Sequence, residues 1–431
     1  MNTYREPGRD LPAMAPADVI VCGAGPAGIA AAVTAARAGA TVRLFEVHGC
    51  LGGIWTAGLM SWMMDSSGKA GLAREIPAAL AARAAAARYR GTLAFEPEAL
   101  KLYLEELCAG AGVQVQLHTR AAAAARDAAG RVTHAITESK SGRQAWPAAA
   151  FIDATGDGDF AAQAGCGFDV GDAAGRCQPA SLIAVVTGLS ADEAALFIRG
   201  LAEPRGELRP KQRLLAELRR AGVEPSYGEP TLFPFGAGLY GLMANHEYDV
   251  SAADAAQITQ ATLRGRAEIQ RVVNALRGLG GVWAHLRVVA TGEQIGLREG
   301  RRIQGRYTVT RDDLVEGAAH EDAVCRGTAG VDVHAVTPAA GGGYSNAGVP
   351  SRPYDIPYRA LLARDADGLL LAGRDISGDF IAHASYRLTG NAVALGEAAG
   401  AAAAVAARTG RLPHAVPWPE VQQILEAVRP P

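Results

Sequence analysis

Three runs of apolar residues, each ending in glycine, stand far apart along the chain: "DVIVCGAG" (18–25), "FIDATG" (151–156) and "GLLLAG" (368–373). Short uninterrupted apolar runs bounded by turn residues predict strands buried on both faces. After the first run, "PAGIAAAVTAARAG" (26–39) reads as a helix of small residues ending at Gly39, and "ATVRLFE" (40–46) as a second strand, which completes a βαβ unit. A second small-residue helix, "NAVALGEAAGAAAAVAARTG" (391–410), follows the third run. Between the first two runs the pattern predicts a helix near 96–110, a short strand, and a β-meander turning near Gly130 and at Ser141–Gly142.

Two alanine-rich stretches are ambiguous. Alanine is the strongest helix former, so 77–90 reads as helix, whereas Asp127 and Gly130 turn 121–130 towards a strand and turn. Composition does not separate the two readings. From about 166 to 345 the pattern changes to mixed strands and longer amphipathic helices. One such helix is expected over 252–277, capped by Ser251, with Ile258, Leu263, Ile269, Val273 and Leu276 on its apolar face. Three separated strands of one style imply a single domain assembled from separated segments around an insert.

The chain has 431 residues, enough for two or three domains and a sizeable core. Its formal net charge is −2 and no basic run stands apart from acidic residues, so the sequence carries no footprint for nucleic acid or an anionic membrane. Residues 1–16 form a polar, proline-containing lead-in without the pattern of a signal peptide, and no uninterrupted apolar run reaches transmembrane length. The expected compartment is the cytoplasm. Cys22, Cys50, Cys108, Cys166, Cys177 and Cys325 form no CxxC pair and no zinc spacing, which favours reduced thiols over a disulfide framework and predicts no metal site.

Gly23, Gly25 and Gly28 match GxGxxG between the first strand and its helix. The first glycine suits the tight turn, the second lets backbone approach a pyrophosphate, and the third allows close helix packing. Pro26 and Ala27 open the helix, whose free N–H groups would face the phosphates. Glu46, closing the second strand, stands at the spacing that accepts from a ribose hydroxyl. This much predicts a dinucleotide, NAD or FAD.

Taken with "GAGPAG", the segments "FIDATGDGD" and "LLLAGRDIS" resemble the FAD-binding segments of the glutathione-reductase-type fold. Over nearly its whole length the chain is similar to the FAD-dependent oxidoreductase family, distantly related to fumarate reductase and succinate dehydrogenase flavoproteins. The matching stretches include "LGGIWTAGLM", "EQIGLREGRRIQGRYTVTRDDL", "SRPYDIPYRALL" and "GEAAGAAAA". The resemblance implies FAD as cofactor and an α/β fold: a Rossmann-like FAD-binding domain in discontinuous segments (17–165 and 346–412), an inserted α+β substrate domain (166–345) and a tail (413–431). It implies that Gly156 and Gly373 approach the cofactor, that Asp375 contacts its ribityl chain, and that the helix starting at Asn391 points at the flavin. Asp157 is either a cofactor contact or a turn cap. Gly52 and Gly53 suit close backbone approach, and His48 or Cys50 is chemically able to attach a flavin covalently, although the spacing departs from the histidyl-linkage motif.

For chemistry, His383, Tyr386 and His334 are candidates for proton transfer, set against the commoner role of a lone histidine as a structural hydrogen-bonder. Ser385 and Arg387 agree with the family pattern, whereas Phe380, His383 and Ala392 depart from it, so no catalytic role carries over at those three. Arg298, Arg301 and Arg302 form either an anchor for an acidic substrate or an internal ion-pair network. The implied function is a dehydrogenase or oxidase taking hydride from a small organic substrate, with an unknown acceptor, and Arg387 and the 298–302 cluster are the candidates to fix a negative group on it. Alternatives are a flavin monooxygenase using NAD(P)H and O2, and a flavin-containing RNA-modifying or binding protein, which the lack of a basic face disfavours.

Overall fold

The three separated apolar runs become neighbouring strands of one sheet. In the computed structural model, which describes residues 3, 4, 7–89, 92–201 and 208–429, β1 (Ala17–Cys22) leads into α1 (Pro26–Arg37) and β2 (Val42–Phe45). Arg90 of the expected helix, Met1, Asn2, Arg5 and Glu6 of the lead-in, and the last two residues of the tail lie outside the described residues.

Next come α2 (Leu72–Ala82), β3 (Ala86–Tyr89), β4 (Thr92–Phe95), α3 (Pro97–Gly110) and β5 (Gln114–Gln116), then the meander β6 (Arg120–Arg126), β7 (Val132–Ser139) and β8 (Gly142–Asp153). The main sheet runs β5-β2-β1-β8-β7-β6, and the strand Leu369–Leu371 also pairs with β8. β8 is long enough to serve two partners on one side. Its first half is antiparallel to β7, and Phe151–Asp153 is parallel to Leu369–Leu371. β5, β2, β1, β8 and Leu369–Leu371 are parallel in register, so their carboxyl ends share one edge. This is the α/β, Rossmann-like fold built from discontinuous segments.

The small-residue helices pack on each other. A Cβ placed at Gly396 would lie 2.1 Å from the Ala27 carbonyl oxygen, and one at Gly400 would lie 2.2 Å from that of Ala31. Helix backbones this close require glycine facing alanine, which explains the compositional bias of both segments. Thr389–Thr409 is the one helix among the described residues long and apolar enough to cross a membrane, and 94% of its apolar window is buried inside the fold.

A second core gathers residues within 180–295, with Leu59, Tyr89 and Ala94 added from the first part of the chain. Its four-stranded antiparallel sheet runs Thr231–Gly236, Leu239–Met243, Ala184–Thr187, Arg287–Thr291. Beyond it Ile303, Val309 and Leu314 return to the first core.

Two local expectations are corrected. The stretch 77–90 is not one helix: α2 ends at Ala82, Ala84 turns with a φ of 54°, and Ala86–Tyr89 pairs with Thr92–Phe95. Pairing with a neighbouring strand overrides alanine's local preference. The long helix spans Ala255–Gly278, and its cap is Asp254, whose carboxylate accepts from the N–H groups of Ala256 and Gln257. On its expected stripe Ile269, Val273 and Leu276 are buried, but Leu263 is 54% exposed.

Candidate functional site

At the carboxyl edge of the parallel strands lies a cleft of about 450 Å³, where open α/β sheets bind their ligands. Gly23 enters the turn with a φ of 95°, and its N–H donates to Phe45 O. A Cβ at Gly28 would sit 1.8 Å from Gly23 O, so glycine there is a packing requirement. A Cβ at Gly25 would meet nothing within 4 Å, and Gly23, Gly25, Pro26 and Ala27 all face the cleft. The N-terminus of α1 therefore presents free N–H groups and the positive end of its dipole to this space, without a side-chain cap.

Glu46 is buried on the same wall. Its carboxylate is fixed by the N–H of Ala24 (2.7 Å) and the N–H of His48 (2.9 Å), which tie the end of β2 to the glycine turn. The loop after β2 closes on the turn from above. Gly52 N–H donates to Ala24 O, and a Cβ at Gly53 would lie 2.9 Å from the Gly25 Cα. Gly53 faces the cleft, whereas Gly52 is enclosed by Thr56 and Leu104.

The second and third runs bring Gly156 and Gly373 to this edge, with φ of 78° and 113°. Between them Arg374 pairs with Asp157, and Arg301 donates to Asp157 O (3.1 Å) and to Asp159 Oδ1 (2.8 Å). Burial raises the Asp157 carboxyl, and Arg374 acts against it. Arg374 and Asp159 were not singled out from the sequence. The position of Arg374 directly after the third strand-end glycine is the signal that could have found it.

Several sequence candidates sit behind the wall rather than on it. Asp375 is fully buried against Asp153 without closing a hydrogen bond, and burial followed by Asp153 raises it well above the usual carboxylate range. Asn391 is also buried, its side-chain amide donating to Asp65 Oδ2, and Thr389 and Ala392 face the cleft in its place. Arg302 is buried, and its guanidinium donates to Gly378 O, Gly171 O and Glu299 rather than into the cleft. Tyr386 donates to Ile376 O from full burial, so its hydroxyl does not reach the cleft. His383 is sealed in beside it, facing the backbone of Arg374 without a hydrogen bond, and burial, then Arg387, holds it well below its ordinary value.

Of the covalent-attachment candidates, His48 faces the cleft with its Nδ1 3.4 Å from Glu293. Cys50 is buried against Thr56, and burial raises its thiol.

At the far end of the cleft Arg387 donates to Asp332 O (2.8 Å), Gln178 Oε1 (3.2 Å) and Arg298 O (3.3 Å), with the Asp332 carboxylate 4.0 Å away. Arg298 makes no ion pair among the described residues. It donates to Pro179 O and to Ser181 Oγ, and burial, then Arg387, lowers it to about 10. His334 lies next in line, its N–H donating to Gln178 Oε1 and its Nε2 3.3 Å from Asp332 Oδ2. Burial, then Arg298, lowers His334 to about 3, which leaves the ring neutral. Asp332 and Gln178 carry no sequence signal. The topology alone joins them to Arg387.

The residues present suit FAD. The cleft offers an open glycine cradle at a helix N-terminus for a diphosphate, a fixed carboxylate for a ribose, and apolar wall from Ile54, Leu297, Ala372 and Ala392.

A family model described as FAD dependent oxidoreductase matches residues 18–425. No curated protein matches the chain. Among solved structures, a geranylgeranyl bacteriochlorophyll reductase-like protein from Thermoplasma acidophilum is 14% identical, over 97% of this chain and 84% of that one, with a TM-score of 0.47. A p-nitrophenol 4-monooxygenase from Pseudomonas putida is 12% identical, over 96% and 84%, at 0.48. A flavin-dependent brominase is 12% identical, over 96% and 83%, at 0.49.

Proposed function

The chain belongs to the FAD-dependent oxidoreductase family, and from that premise we propose that it is a cytoplasmic dehydrogenase or oxidase acting on a small organic anion. Gly23, Gly25 and the N-terminus of α1 would hold the diphosphate and Glu46 the ribose, and Gly53, Thr389 and Ala392 line the same cleft. Ile258, Thr262, Ile295 and Leu297 add to the lining of that cleft. Bound FAD supplies the hydride acceptor.

The observation that carries the substrate class is Arg387, which lines the cleft with the Asp332 carboxylate 4.0 Å away and with the buried Arg298, itself without an ion pair among the described residues, close enough to be lowered by it. An anionic group of the substrate completes this charge balance and is gripped by Arg387, whose planar guanidinium suits a carboxylate. The proton released from the substrate's heteroatom is accepted at His334, whose ring is held neutral beside the Asp332 carboxylate.

The test is to reconstitute the purified chain with FAD and screen small hydroxy and amino acids for anaerobic bleaching of the flavin spectrum. Bleaching by carboxylated compounds, and its loss in Arg387→Ala with FAD uptake retained, is the expected result. Equal bleaching by the uncharged amides of the same compounds would refute the anionic class.

A further inference from the structure

His246 follows Leu239–Met243, and it belongs to none of the groups assigned above. Its Nε2 lies 3.1 Å from His334 Nδ1, in a bond buried from solvent between residues 88 positions apart. His246 and His334 are 2% and 5% exposed. On the other side of the ring, His246 Nδ1 is 3.4 Å from the Tyr248 hydroxyl. Tyr248 is half-buried, Asp249 beside it is exposed, and His246 and Tyr248 both line a separate surface pocket with Glu268 and Arg271. Tyr227 packs against His246, with ring centroids 4.2 Å apart and planes tilted by 32°.

The groups facing the histidine pair are Arg298 and Arg387, Asp332, and the rings of Tyr227, Tyr248 and Tyr344. Burial, then Arg298, holds both imidazoles below their ordinary range, and Asp332 acts in the opposite sense on His334. Both rings are therefore neutral, each with one nitrogen able to donate and one able to accept. A fixed pair of this kind passes a proton by exchanging tautomers.

We propose that Asp332, His334, His246 and Tyr248 form a proton relay from the Arg387 end of the cleft to the surface pocket, with His246 and Tyr248 as its outward half. A proton is taken up at His334 Nε2, beside the Asp332 carboxylate that orients the ring, as the proton on His334 Nδ1 moves to His246 Nε2. The proton on His246 Nδ1 then moves to the Tyr248 oxygen, which loses its own to water in the pocket. One proton enters, one leaves, and both rings change tautomer. This rests on the proposed function for the origin of the proton, but the relay is a property of the four side chains.

The experiment is histidine-selective NMR of the full chain, with and without added FAD, measuring exchange with water of the proton shared by His246 and His334. The wild type should show one strongly shifted bridging proton in exchange with solvent. Tyr248→Phe should keep that signal and slow its exchange by about a hundredfold, and His246→Phe should abolish it. Absence of the bridging proton in the wild type, which needs no variant, overturns the proposal. So does unchanged exchange in Tyr248→Phe. Failure to take up FAD would sink the functional reading while leaving the bridging proton measurable, so the two failures are distinguishable.

Discussion

His383 offers a test of how burial controls charge behind the cleft. Its ring is fully buried, neither nitrogen has a hydrogen-bond partner, and the nearest carboxylate oxygen, on Glu299, is 4.0 Å away. Burial, then Arg387, Arg302 and Arg374, holds it well below its ordinary value of 6.5. In the unfolded chain the same imidazole protonates near that value, so below it the unfolded state binds a proton that the fold refuses. Stability is therefore full above pH 6.5 and falls as pH drops through it. The slope approaches about 1.4 kcal/mol per pH unit for this one group, so lowering the pH from 7.5 to 5.5 costs about 1.4 kcal/mol through His383 alone. Replacing it by leucine, of similar volume, removes that share and leaves stability at pH 7.5 unchanged or raised, because two unpartnered ring nitrogens leave the interior. Urea unfolding of wild type and His383→Leu at both pH values reads the difference. An equal acid-induced loss in the two proteins would show that His383 titrates in the fold as it does in water, and would refute the reasoning.

Four further outcomes follow from the same geometry. Gly25→Ala places a methyl in open cleft space, so the thermal midpoint of the FAD-free protein should hold while FAD affinity falls about tenfold, or about 1.4 kcal/mol. Gly28→Ala instead drives a methyl against Gly23 O and should cost about 1–3 kcal/mol of stability. Arg374→Ala leaves the Asp157 carboxylate buried and unpaired and should destabilise by about 3 kcal/mol in chemical denaturation, with much of the loss recovered when Asp157→Asn is added. On acid precipitation the flavin should leave with the supernatant, since the Cys50 thiol is buried and held protonated. Colour retained in the pellet would count against this.

The cofactor cleft was largely legible in the chain because local rules decide it. A glycine that must adopt positive φ, a strand that must be apolar on both faces, and an acid at the end of the next strand are each visible in a few consecutive residues. The alanine bias that obscured 77–90 carries a clear message in the Thr389–Thr409 helix only once α1 is seen packed against it through Gly396 and Gly400.

The sequence by itself therefore determined the βαβ unit, the three glycine-ended strands and the residues of the turn, since these follow from backbone sterics and hydrophobic period. Only the tertiary structure decided which polar groups face the cleft. It sealed His383 and Tyr386 behind the wall, tied up Arg302, turned Asn391 towards Asp65, and joined Asp332, His334 and His246 into one chain. The direction of a side chain and its distance from a charge depend on segments up to hundreds of residues away, and no local pattern encodes them.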